Sequence, residues 1–277
     1  MGFTMTHETN VKSTLCNLSK SRPDSFSKKN GIIDPKSDFD LDQIQDFNNR
    51  FENSHPDEIL FWGSETFGRK IVLGTGFGPS GVFLIHRLVT KSIPIKIFYL
   101  DTNLLFSETY KLRDELEDTF DISIERVSTK LSVDDQAQKH GDELWKSNPD
   151  KCCYLRKVLP LKNYLEDKNA WITGVRRSQS ATRKQTEIIE WDPLNEVVKI
   201  NPLAKWGNDD VWEYINNHKI PYNPLHNHGY PTIGCIPCTE PAETDEPDER
   251  NGRWKNLEKT ECGIHLPTQN RRNGKHS

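Results

Sequence analysis

The chain has 277 residues, enough for one large domain plus an extension and for a sizeable core. Its 37 Lys+Arg against 41 Asp+Glu exclude a globally basic binder of nucleic acid or membrane surface, so any anion site must be local. No stretch approaches the ~20 uninterrupted apolar residues of a membrane helix, and the polar N-terminus lacks an apolar signal core; the expectation is a soluble, cytoplasmic protein without nucleic-acid or membrane partners.

Residues 1–38 are polar, rich in Ser, Lys and Asn, and broken by Pro23, Gly31 and Pro35, which is the composition of a disordered extension. Cys16 lies in it and receives no role. From Asp40, a candidate cap, Leu41, Ile44, Phe47 and Phe51 recur at helical spacing, and a second helix fits Pro56 to Phe67. The β-rich run Lys70 to Leu73 then leads into Gly74-Thr75-Gly76-Phe77-Gly78-Pro79-Ser80-Gly81 and the apolar Val82 to Leu88. Strand, glycine-rich turn and helix present backbone N–H groups and the positive end of a helix to a phosphate-like anion. The spacing is neither a Walker phosphate loop nor a clean dinucleotide fingerprint, and a glycine-rich turn without a ligand is the competing reading.

A second strand, Ile95 to Leu100, ends at Asp101-Thr102-Asn103, where Asp101 could accept hydrogen bonds from a ribose or adenine or cap the following helix, Ser107 to Phe120. Ile122 to Val127 reads as a third strand and Val133 to Trp145 as helical. Alternating strands and helices predict an α/β fold with a mostly parallel sheet flanked by helices.

Six cysteines are too few and too clustered for a disulfide scaffold, which leaves metal binding or thiol chemistry. Cys152-Cys153 cannot easily bond to each other but can ligate different irons of one cluster. A chance pair of buried cysteines is the alternative, and the knuckle Cys235-Ile236-Pro237-Cys238 counts against it. Four cysteines from two distant pairs suffice for a metal site, leaving Cys262 free to react. Between the pairs, the strand at Trp171 ends in a loop bearing Arg176, Arg177, Arg183 and Lys184, whose guanidinium forks suit bidentate contact with phosphate or sulfate oxygens; a solvated charged loop is the alternative. Val197 to Ile200 adds a strand, and Asp209-Asp210 open an amphipathic helix. Glu240 to Arg250 is acidic, and the chain beyond carries Cys262 on a movable arm.

Several motifs in one order, Leu100-Asp101-Thr102, Cys152-Cys153-x-x-Arg156-Lys157, Gly174-Val175-Arg176-Arg177-x-Gln179-Ser180, Cys235-x-x-Cys238, Gly252-Arg253-Trp254 and Glu261-Cys262-Gly263-Ile264-His265, resemble the assimilatory sulfonucleotide reductases, in particular their iron–sulfur adenylyl-sulfate (APS) reductase branch. The resemblance covers roughly residues 40 to 266. It implies an adenine-nucleotide alpha-hydrolase-like fold with a C-terminal arm: an extension at 1–38, a nucleotide-binding reductase domain at 39–250 and the arm at 251–277. It implies a [4Fe–4S] cluster on Cys152, Cys153, Cys235 and Cys238, with Cys262 as nucleophile. Lys157, Arg183, Arg250, Arg253 and His265 would surround the phosphosulfate, together with Arg176, Arg177, Gln179 and Ser180, while Gly76, Gly78, Ser80 and Asp101 would hold the nucleotide. The chain departs from the family in Ile264, where Leu is usual, and in Pro79-Ser80-Gly81, where acidic residues are usual.

The implied activity is thioredoxin-dependent reduction of adenosine 5′-phosphosulfate to sulfite and AMP through an S-sulfocysteine on Cys262. No second cysteine follows Cys262, so a separate thioredoxin or glutaredoxin is the expected reductant. Three rivals remain: reduction of the 3′-phosphorylated nucleotide (PAPS), an ATP-using adenylating enzyme of the same fold, and a nucleotide-binding module with a structural zinc.

Overall fold

The computed structural model describes residues 40–242, 248–255 and 257–265, all within a unit spanning 34–277. The expected N-terminal extension, with Cys16, and the end of the chain from 266 lie outside the described residues.

Helix α1 (Leu41–Phe51) starts where Asp40 accepts from the Gln43 N–H while the Gln43 side chain accepts from the Asp40 N–H, a reciprocal cap that satisfies two otherwise orphaned donors. Helix α2 (Pro56–Phe67) follows, with proline at its first position, where no N–H is needed. The chain then alternates through β1 (Ile71–Thr75), α3 (Pro79–Thr90), β2 (Lys96–Asp101), α4 (Ser107–Phe120) and β3 (Ile124–Ser128). The helical stretch expected through Trp145 is broken at Gly141 (φ 86°) into α5 (Val133–His140) and α6 (Leu144–Ser147). Next come α7 (Pro149–Cys153), a π-helical turn (Tyr154–Val158), α8 (Leu159–Leu165), β4 (Ala170–Ile172), β5 (Ile189–Asp192), β6 (Val197–Ile200) and α9 (Asn208–His218). The aspartate at the start of α9 acts from inside the helix: Asp210 accepts from the Gly207 N–H at 2.8 Å.

The six strands form one sheet in the order β3-β2-β1-β4-β6-β5, parallel throughout except for β5 against β6. The expected mostly parallel α/β sheet is present. β5 has no counterpart in the sequence reading; it is set by the turn at 193–196, where Asp192 accepts from the Leu194 N–H and from the Asn195 side chain.

Alternation along the strands puts Val72, Phe98, Val127, Trp171 and Val197 on one face, where Leu161 and Leu165 of α8 cover them. On the other face α2 comes so close at Gly63 that a Cβ there would lie 3.0 Å from Ile71 and 3.3 Å from Ile200. β1 and β4 are neighbours, yet the chain leaves them toward opposite ends of the sheet. This is a topological switch point, where the diverging loops leave a crevice beyond the carboxyl ends of the strands.

Candidate active site

A cavity of ≈ 250 Å³ occupies that crevice. Its floor is the loop after β1. Thr75 Oγ1 accepts from the Phe77 N–H at 3.0 Å, and Phe77 takes a left-handed backbone (φ 59°). A Cβ at Gly81 would stand 2.5 Å from Thr75 Oγ1, and one at Gly174 would stand 2.8 Å from Ser80 Cβ, so glycine is what lets the loops after β1 and β4 interlock. Gly76, Gly78 and Ser80 line the cavity, and α3 begins there with no side chain capping it. Such a helix start attracts anions.

The cations come from two directions. From the β4 loop, the buried Arg176 donates to Ser80 Oγ (3.0 Å), Ser178 Oγ (2.9 Å) and Asn208 Oδ1 (3.1 Å), and meets the Glu249 carboxylate at 2.8 Å. Arg183 forms a two-pronged contact with Glu261, Nε at 2.7 Å and Nη2 at 2.9 Å, and donates to Gln179 Oε1 at 2.6 Å. From the C-terminal segment come Arg250, Arg253 and His265, the last stacked on Trp171 with ring centroids 5.5 Å apart. A Cβ at Gly234 would collide with the Arg253 guanidinium, so the Cys235 loop leaves room for that cation.

Three predicted contacts lie elsewhere. Arg177 turns away to Glu52, just past the end of α1 (2.8 Å), and the Thr186 carbonyl (2.7 Å). Ser180 bonds Thr182 at 2.9 Å at the protein surface. Asp101 accepts from the Asn103 N–H (2.8 Å), the Tyr110 hydroxyl (2.7 Å) and Arg126 (2.5 Å), so its carboxylate braces the turn after β2. Conversely, Glu249, Glu261 and His226 line or flank the cavity and had no assigned role. Glu261 beside Cys262 was the available signal; Glu249 sits in an acidic run with nothing to mark it.

A second, smaller cavity lies next to the first and is lined by Cys152, Cys153, Cys235 and Cys238 together with Trp145 and Trp254. The sequence brings them together in two moves. After Cys153 the helix widens into the π-turn, and Arg156 within it is buried, donating to Gln136 Oε1 (2.8 Å) and to the carbonyls of Thr102 and Ser132 (2.9 Å each). This fixes α7 to the end of β2. The Cys235 loop docks on the same end, where the Ile236 N–H donates to the Leu104 carbonyl at 2.8 Å and Thr102 Oγ1 lies 3.3 Å from Cys235 Sγ.

Burial pushes the Cys153 thiol up to about 12 and Cys238 up to about 11, and raises Cys152 as well. Among the described residues no three His, Cys, Asp or Glu side chains form a single-ion site.

Cys262 is equally buried, at 8% exposure, and packs against Cys153 and Trp254. Gly263 at φ 91° makes the turn that presents it. Its acidity runs the other way. Burial and Glu261 would raise its pKa, but Lys157, Arg250 and a hydrogen bond from the Ile264 backbone outweigh them and hold it below the ordinary thiol value. Lys157 lines both cavities; burial works against its charge, and Cys235, Cys262 and Cys153 more than restore it, leaving its pKa raised. A thiolate facing a cationic crevice at a helix start can attack an electrophile bound through an anionic group.

Residues 70–241 match the phosphoadenosine phosphosulfate reductase domain. The chain is 50% identical over 218 residues to the adenosine 5′-phosphosulfate reductase of Salinibacter ruber, covering 79% of this chain and 86% of that protein. It is 45% identical over 209 residues to adenosine 5′-phosphosulfate reductase 2 of Bacillus subtilis, covering 75% and 88%. Among solved structures, the phosphate complex of phosphoadenylyl-sulfate reductase from Candida auris superposes with a TM-score of 0.66 at 30% identity, covering 73% of this chain and 98% of that one.

Proposed function

The chain belongs to the phosphoadenosine phosphosulfate reductase family, and from that premise we propose that it reduces adenosine 5′-phosphosulfate to sulfite and AMP in assimilatory sulfate reduction. The observation that carries this reading is the placement of Cys262: a thiol held toward its thiolate form, beside Lys157 and Arg250, in a cavity that opens over the glycine loop. The nucleotide without a 3′-phosphate is favoured over PAPS because relatives named for it share 42–50% identity with this chain.

In the proposed reaction, the nucleotide's phosphate lies against the start of α3 and the cationic wall, with its sulfonate toward Cys262. The thiolate attacks the sulfonate sulfur and the S–O bond to the phosphate breaks; AMP leaves with the bonding pair, and Cys262 carries an S-sulfonate. Lys157, Arg250 and Arg253 offset charge on the sulfonate and on the departing phosphate oxygen as the bond breaks. A thiolate from a separate protein then attacks Cys262 Sγ, releasing sulfite and leaving a disulfide; the two electrons come from the two thiols. Thioredoxin or glutaredoxin is the reductant of that chemistry. The cytoplasm, where thiols stay reduced, is the matching compartment.

The cysteine cavity suits a [4Fe–4S] cluster by its donor set: four cysteines from two pairs, three of them buried and Cys238 partly buried, lining one cavity. Cys152, Cys153, Cys235 and Cys238 would hold it. Its chemistry there would be to keep those sulfurs as bound thiolates and to set the field felt by Lys157. No step above passes through the cluster: the chain's own groups carry the sulfur transfer, and the separate thiol carries the release. Purified protein with a thioredoxin system and either nucleotide tests the reading. Sulfite and AMP should form from adenosine 5′-phosphosulfate at a kcat/KM well above that for PAPS; turnover of PAPS alone, or of ATP to AMP, would overturn it.

A further inference from the structure

Glu261 precedes the reactive cysteine and is 5% exposed, a costly place for a carboxylate unless it is paired. Both its oxygens are engaged: Arg183 Nε at 2.7 Å and Nη2 at 2.9 Å, Arg250 Nη2 at 3.2 Å and Thr182 Oγ1 at 3.4 Å. Arg183, 8% exposed, spends its remaining arm on Gln179 Oε1 at 2.6 Å, so Nε, Nη1 and Nη2 are all committed inside the protein. Arg250 differs: its Nη2 is shared between Glu261 and the Thr260 carbonyl, and its buried Nε has no partner among the described residues. Every nitrogen of Arg183 has a protein partner, although it borders the cavity, whereas Arg250 keeps a nitrogen without one among the described residues. A neighbouring ion pair, Lys259 with Asp150, ends on a carboxylate whose side chain is 84% exposed, where solvent screens it.

We propose that Glu261 and Arg183 are a positioning pair that clamps the segment from Thr260 to His265 to the β4 loop, so that Cys262 faces the cavity while the clamp is closed, and that Arg183 serves this clamp rather than the substrate. The second half of the proposal rests on the functional reading above; the first does not. A buried pair of this geometry is costly to break by removing one member, since the survivor is left as an unpaired buried charge. It therefore suits a joint that holds during sulfur transfer. It also explains how a thiol at 8% exposure is kept from bulky thiols until the segment opens.

The test is labelling of Cys262 in the holoenzyme, without substrate, by a maleimide carried on a polymer too large to enter the cavity. Glu261→Gln should be labelled faster by roughly tenfold or more, and Glu261→Asp should return toward the wild-type rate. Where Glu261→Gln fails to fold by circular dichroism, Arg183→Lys carries the same expectation with a smaller increase. Labelling at the wild-type rate in the folded variants overturns the clamp. With adenosine 5′-phosphosulfate, Arg183→Lys should lower the rate of adduct formation with KM within about twofold of wild type; a raised KM at unchanged kcat makes Arg183 a substrate ligand and overturns that half. Because labelling needs no nucleotide, its failure counts against the clamp alone, whereas a wild-type enzyme that labels as expected but does not turn over counts against the functional reading.

Discussion

Cys153 and Cys262 are the same residue type, are 7% and 8% exposed, and pack against the same Trp254, yet their acidities move in opposite directions. Cys153 faces the cavity of four cysteines, where desolvation dominates. Cys262 faces the larger cavity, where Lys157 and Arg250 outweigh the same desolvation. Burial alone therefore does not decide what a thiol does; the charge placed beside it does. Trp254 packs against both, with Arg250, Arg253 and Lys259 at 5.4, 4.6 and 5.6 Å from its ring centroid, so cations gather on the ring the two cysteines share.

Breaking the cysteine side should have the largest effect. Cys153→Ser or Cys235→Ser should lose iron and acid-labile sulfide and lower turnover by about a hundredfold or more, since a cluster missing a ligand is weakly held. Iron and turnover retained at wild-type levels would dissolve the distinction between the two cavities. Lys157→Ala addresses the wall between them. Removing that cation raises the Cys262 pKa, so less thiolate is present at neutral pH and adduct formation should fall by roughly tenfold or more. The sign is checkable: the acidic limb of the pH–rate profile should move to higher pH, and the deficit should shrink as pH rises. A profile that drops without moving would mean that Lys157 acts through contact with the substrate instead. The smallest effect belongs to Arg177→Gln, which lies outside both cavities. Its loss should cost no more than about 1 kcal/mol of stability, read by denaturant unfolding, and leave KM unchanged.

Much of this division was legible in the sequence, because it rests on spacing. Two cysteine pairs, a lone late cysteine and a strand–glycine–helix turn are local patterns, and the alternation of strands and helices gave the sheet its class. The reading failed where long-range partners decide. Arg176, Arg177 and Arg183 are near neighbours in one loop, yet Arg176 meets Glu249, Arg177 meets Glu52 and Arg183 meets Glu261. A run of arginines reads as one anion site, and only folding shows that its charges are shared among three carboxylates. Asp101 was ambiguous for the same reason: Arg126 and Tyr110, which consume it, come from the next strand and helix. Strand β5 was hidden because its four residues lie on an edge and are held by a turn rather than by a run of apolar residues.

The mass of the intact holoenzyme after incubation with adenosine 5′-phosphosulfate, with no reducing thiol present, tests the separation of the two kinds of cysteine most directly. Wild-type protein is expected to gain a single sulfonate, located by peptide mapping on Cys262, and Cys262→Ser to gain none while keeping its iron. A sulfonate on the Cys262→Ser protein, or on any of Cys152, Cys153, Cys235 or Cys238 in the wild type, would contradict it.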